Sequence, residues 1–171
     1  KFAFYSNAHK AGIQQQLQLV AELQKAIDED VLEIYHQPQI DLANQKVCGN
    51  EALVRWNHPT HGFISPEVFV TLAEDTGMIN QLTEWVITSA LEQHAQLIEA
   101  GFLQNISINL SAKDLTQSGL IAHIMTTIAD LSLDPSSIIF ELTESATSDD
   151  PVHALRTINQ LHELGLKVAI D

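Results

Sequence analysis

From Lys46 onward, short runs of strand-forming residues alternate with longer segments whose apolar residues recur every three or four positions. Strand–helix alternation of this kind requires parallel strands joined by helical crossovers, so the chain folds as a barrel or as an open doubly wound sheet. The expected strands are Glu33–Ile40, the stretch around Glu51, Asn105–Leu110, Ser137–Leu142 and Leu166–Asp171. The spacing predicts helices from Gly12 to about Glu29, Pro66 to about Asp75, Asn80–Ala100, Leu120–Leu131 and Asp150 to Gly165. Lys1–Ala8, with Phe2, Phe4 and Tyr5, reads as a further terminal strand. Asp41–Gln45 reads as a hairpin turn, and Ser65-Pro66 as a helix start with Ser65 as cap. Gly12, Gly77, Gly101 and Gly165 read as helix boundaries.

Successive strand residues point to opposite faces, and this sorts the chemistry. In Gly49–Trp56, Glu51, Leu53 and Arg55 share one face while Ala52, Val54 and Trp56 share the other. Asn109 lies with Ser107 and Ser111, opposite Ile106, Ile108 and Leu110; Glu141 lies with Ile139 and Thr143, opposite Ile138, Phe140 and Leu142. Asp171 lies with Lys167 and Ala169, and Lys167 is its expected ion-pair partner. Four strands thus each carry an oxygen side chain towards the C-terminal half: Glu51, Asn109, Glu141 and Asp171. In a parallel barrel those ends converge on the face where active sites form. Three carboxylates and one amide suit Mg²⁺ or Mn²⁺ better than zinc.

With 22 acidic against 8 basic side chains the net charge is −14, which argues against a nucleic-acid polymer as partner. A small phosphorylated ligand remains compatible if bound cations screen the site. Cys48 stands alone, and no apolar run reaches the roughly 18 residues of a membrane span, so a cytoplasmic domain is expected. A membrane anchor elsewhere in a longer parent is compatible with that. His58-Pro59-Thr60-His61 has no Cys or further His at ligand spacing and reads as a loop, not a zinc site. His9, His94, His123, His153 and His162 lie on or beside helices and read as surface positions.

The motifs together resemble a known family. From about Leu32 to Asp171 the chain carries Tyr35-His36-Gln37-Pro38, Glu51-Ala52-Leu53-Val54-Arg55-Trp56, His58-Pro59, Gly62-Phe63-Ile64-Ser65-Pro66 and Leu72-Ala73-Glu74. Glu84-Trp85-Val86, Asn109-Leu110-Ser111-Ala112, Glu141-Leu142-Thr143-Glu144-Ser145 and Val168-Ala169-Ile170-Asp171 follow in order. This series resembles the EAL domain, the bacterial phosphodiesterase that linearises cyclic di-GMP to pGpG. The resemblance implies an α/β fold, a TIM-like (β/α) barrel with an antiparallel first strand, here truncated to a little over half. It implies two divalent ions, Mg²⁺ or Mn²⁺, with Glu51, Asn109, Glu141 and Asp171 as ligands and a bridging water as nucleophile. It also implies that Glu51 and Glu144 serve catalysis, Glu144 by steadying an active-site loop. Arg55 matches a substrate-phosphate contact, and Gln37 and Leu53 match positions lining the nucleotide site.

Residues 1–29 resemble the helical linker and tail of a preceding GGDEF-like domain, and residues 30–171 the N-terminal portion of the EAL domain. The family pattern continues past Asp171 with a second aspartate and a lysine that acts on the attacking water. The 171-residue chain alone is therefore expected to be inactive, and to self-associate through an exposed barrel edge or as an EAL dimer. The rival reading is a non-catalytic EAL domain that senses cyclic di-GMP. A purely structural segment would leave the four aligned oxygen ligands unexplained.

Overall fold

The computed structural model describes residues 7–102, 104–142 and 151–170. Helix α1 (Asn7–Asp28) leads into β1 (Glu33–Asp41), β2 (Lys46–His58) and the short β3 (Gly62–Ile64). Helices α2 (Pro66–Thr76) and α3 (Ile79–Glu99) follow, then β4 (Asn105–Leu110), α4 (Ala112–Leu115) and α5 (Leu120–Asp130). The chain continues with β5 (Ile138–Leu142), α6 (Pro151–Glu163) and β6 (Lys167–Ile170). β1 pairs antiparallel with β2, and β2, β4, β5 and β6 are parallel neighbours in that order. This is the TIM-like barrel arrangement with an antiparallel first strand. Pro38, which has no N–H to donate, sits on β1 at the edge of the sheet, where strand proline is tolerated.

The helix-facing side of the sheet is mostly apolar, with Asn50 and His36 as a hydrogen-bonded polar pair that reaches Gln93 of α3. Ala52, Trp56, Ile106, Ile108, Leu110, Ile138, Phe140 and Leu142 are all at most 3 % exposed. They form one core with Phe69, Leu82, Ile87, Leu91, Ile124 and Leu161 from the helices. The C-terminal half of α1 joins it through Leu23, Ala26 and Ile27, and Trp85 Nε1–H donates to Asp30 Oδ1 at 2.8 Å. Gly77 and Gly101, at φ 77° and 90°, end α2 and α3 in the left-handed region that favours glycine.

Several details differ from the sequence reading. The terminal-strand expectation falls on Lys1–Ser6, outside the described residues, and on Asn7 and Ala8, which are helical. Gly12 lies inside α1 and not at its boundary; a helix rich in Gln, Leu and Ala absorbs the roughly 1 kcal/mol cost of one glycine. Ser65 occupies the cap position of α2, but its side chain makes no capping bond. β3 and α4 were not anticipated: β3 is three residues held by the end of β2, and α4 is a single turn. α4 is closed by a capping box in which Ser111 and Asp114 each bond the other's backbone N–H. His94 is fully buried and His123 half-buried, contrary to the surface reading. His94 falls on the buried stripe of α3 with Ala90 and Leu91, and its Nε2 meets Ser137 Oγ at 3.2 Å.

Candidate active site

The opposite, concave side of the sheet carries the polar residues. Glu51 is half-buried in the middle of β2, and Asn109 near the end of β4 is in register with Glu141 of β5. Asn109 Nδ2–H donates to Glu51 Oε1 at 2.7 Å, a short bond of the charge-assisted kind. Gln39 Nε2–H reaches Ser107 Oγ at 3.3 Å and Glu141 Oε1 at 3.5 Å. Glu51, Asn109 and Glu141 are therefore brought onto one face, as expected from the strand alternation. Asp171 and Glu144 lie outside the described residues, and with Asp171 the expected pairing to Lys167.

Gln37 stands opposite Glu51 in the antiparallel β1–β2 register, on the same side of the sheet. Arg55 lies one turn of the pleat beyond Leu53, with Nη1–H donating to Val54 O at 2.9 Å and the guanidinium 5.9 Å over the Tyr35 ring. Leu53, Arg55, Asn109, Ser111 and Asp114 line a cleft of about 280 Å³ whose other walls are apolar side chains of the sheet and of α2 and α3. Among the described residues no basic side chain forms an ion pair with Glu51 or Glu141. Two carboxylates and a carboxamide, half-exposed and without a cationic partner, make a donor set that fits a hard divalent ion.

Asp114 supports this corner from below. It is buried, accepts from Thr83 Oγ1–H at 2.6 Å and from Ser111 N–H at 2.7 Å, and so ties α3 to the end of β4. Burial pushes its carboxyl above the ordinary range, and the bonds from Thr83 and Ser111 oppose that rise. Gln39 and Asp114 were not singled out from the sequence. Gln39 shares the face of Gln37 two residues before it, and Ser111-x-x-Asp114 is a capping-box pattern, so both carried a legible local signal.

The family model described as EAL domain matches residues 20–171. The chain is 37% identical over 171 residues to MucR of Pseudomonas aeruginosa, a bifunctional diguanylate cyclase/cyclic di-GMP phosphodiesterase, covering 99% of this chain and 25% of that protein. It is 34% identical over 169 residues to the cyclic di-GMP phosphodiesterase NbdA of the same organism, covering 98% and 22%. Among solved structures, a MucR phosphodiesterase complex with cyclic di-GMP superposes with a TM-score of 0.85 at 37% identity, over 90% of this chain and 63% of that one. The chain spans about a quarter of the length of these curated relatives.

Proposed function

The chain belongs to the EAL domain family, and from that premise we propose that its protein hydrolyses cyclic di-GMP to linear pGpG by attack of water on a phosphodiester. The observation that carries this reading is the meeting of Glu51, Asn109 and Glu141 on the concave face, with Leu53 and Arg55 lining a cleft that Asn109 also borders. Glu51, Asn109 and Glu141, together with Asp171, would hold Mg²⁺ or Mn²⁺. When bound, such ions polarise the scissile phosphate and make water a nucleophile at neutral pH. Arg55 positions a substrate phosphate, with its guanidinium already oriented by Val54 O and Tyr35. Leu53 offers an apolar wall and Gln37 an amide to the nucleotide, and Glu144 steadies the neighbouring loop.

Residues 1–29 fit a helical linker from a preceding GGDEF-like domain, and the relative MucR is by name a bifunctional diguanylate cyclase/cyclic di-GMP phosphodiesterase. Exposed Val152, Leu155 and Ile170 favour self-association of the isolated chain, which light scattering would read.

The test is pGpG release from cyclic di-GMP by the full-length protein, with Mg²⁺ or Mn²⁺ and with EDTA. Metal-dependent release that drops at least about a hundred-fold in Glu51→Ala is the expected result. Metal-dependent binding without pGpG would instead favour the sensor reading.

A further inference from the structure

Away from the concave face, α1 and the β2–β3 turn bring three ligating side chains together. Glu22 Oε2 lies 3.3 Å from His58 Nε2 and 3.9 Å from His61 Nε2. One ligand atom from each residue falls within 4.8 Å of the other two. Glu22 Oε2 is sealed from solvent, yet it makes no hydrogen bond of acceptable geometry. His58 Nε2 is near it without forming a hydrogen bond, and His61 Nε2 stands beyond hydrogen-bond reach. Atoms that bind a common ion show this relation, because their bonds run to the ion and not to each other. With zinc–ligand bonds of about 2.0–2.2 Å, tetrahedral ligands stand roughly 3.3–3.6 Å apart.

We propose that Glu22, His58 and His61 form a binding site for a divalent transition ion of the zinc class, with water in the fourth position. Two imidazoles and a carboxylate are a borderline donor set that prefers zinc to magnesium, whereas the oxygen-only set around Glu51 has the reverse preference. The ion would clamp α1 to the β2–β3 turn. His58 is held in place by the edge of Trp56, with ring centroids 5.3 Å apart. His61 is half-exposed and leaves an entry path.

The outer nitrogen of His58 sets the limit on affinity. Its Nδ1 lies 3.2 Å from the backbone N–H groups of Thr60 and His61 and 3.1 Å from Thr60 Oγ1. As the structure stands, those N–H groups donate to Nδ1 and the ring proton sits on Nε2. Loading moves that proton to Nδ1, where Thr60 Oγ1 accepts it, as outer hydrogen bonds do for most metal-bound histidines. The two backbone N–H groups lose their acceptor, so the turn must open slightly. The site therefore binds more weakly than a preformed cage, and more weakly still in acid, where a protonated imidazole has no lone pair to offer.

The test is a Zn²⁺ titration of the chelator-stripped, purified protein in excess Mg²⁺, followed by calorimetry and by thermal unfolding. One site, a rise in Tm, and at least about ten-fold weaker binding in both His61→Ala and Glu22→Gln are expected, with Glu51→Gln retaining the site. Thr60→Val should weaken it as well. His58 is buried and its replacement risks the fold, whereas His61 is exposed and Glu22 partly so, and Glu22→Gln keeps the size of the side chain. Zinc binding that ignores both His61→Ala and Glu22→Gln, or no zinc-induced change in Tm, overturns the proposal.

Discussion

Gln39 of β1 and Glu141 of β5 come within 3.5 Å of each other although β2 and β4 lie between their strands. In a flat sheet three inter-strand steps of about 4.8 Å would hold the two backbones roughly 14 Å apart. Curling of the sheet and two long side chains close that gap. Gln39 crosses above Gly49, its Oε1 passing 2.8 Å from where a Cβ would stand.

Removing that amide should loosen Glu141 without unfolding the protein. Gln39→Ala is expected to weaken Mn²⁺ or Mg²⁺ binding several-fold while costing under about 1.5 kcal/mol of stability, since the bond is long and partly exposed. A metal titration alongside urea unfolding checks both halves. Unchanged metal affinity would count against a positioning role.

Gly49 is expected to reject a methyl group. The added Cβ would lie 2.8 Å from Gln39 Oε1, which can swing away, and 3.2 Å from the backbone oxygen of Asn105, which cannot. Gly49→Ala should therefore destabilise by about 1–3 kcal/mol, and pairing it with Gln39→Ala should recover part of the loss. Urea midpoints of the two single variants and the double variant give the coupling directly.

Asp114→Ala should cost about 1–3 kcal/mol by leaving the Thr83 hydroxyl and the Ser111 N–H without their acceptor. Because burial raises the native carboxyl above its unfolded value of 3.8, its own contribution to stability is fully present below that value and is lost as pH rises through the native one. The gap between wild type and Asp114→Ala should therefore widen in mild acid. Thermal melts at several pH values read that trend.

His94 acts in the opposite direction. Burial, with a smaller effect from the charge of His36, lowers its pKa below the ordinary 6.5. Stability from the neutral ring is intact above 6.5 and is lost as pH falls through the native value. Wild-type protein should lose stability as pH falls below about 6.5, and His94→Gln should show a flatter profile over the same acid range. Equal slopes for the two proteins would remove His94 as the cause.

Local patterns made much of this legible. Strand alternation separated Glu51, Asn109 and Glu141 from Ala52, Ile108 and Phe140, and the structure buries the second group while leaving the first on the concave side. β4 runs from Asn105 to Leu110 as expected, preceded by polar Gln104 and followed by Ser111, which caps α4. His94 was misread although the three- and four-residue spacing that buries Leu91 also runs through it. The error came from ranking residue type above position on the stripe.

Sequence alone therefore determined the element order, the two faces of each strand and the family motifs, because each depends on side chains within a few residues of one another. Tertiary structure decided which distant groups meet. Gln39 reaches Glu141 because the sheet curls, and Thr83 reaches Asp114 because α3 lies against the end of β4. His58 and His61 read as a loop because no further ligand stands at metal-binding spacing; Glu22, which the structure brings beside them, sits on a helix 36 residues before His58 and 39 before His61. No periodicity encodes that separation. It is set by how α1 packs its Leu23 and Ile27 face into the core, which turns Glu22 towards the β2–β3 turn.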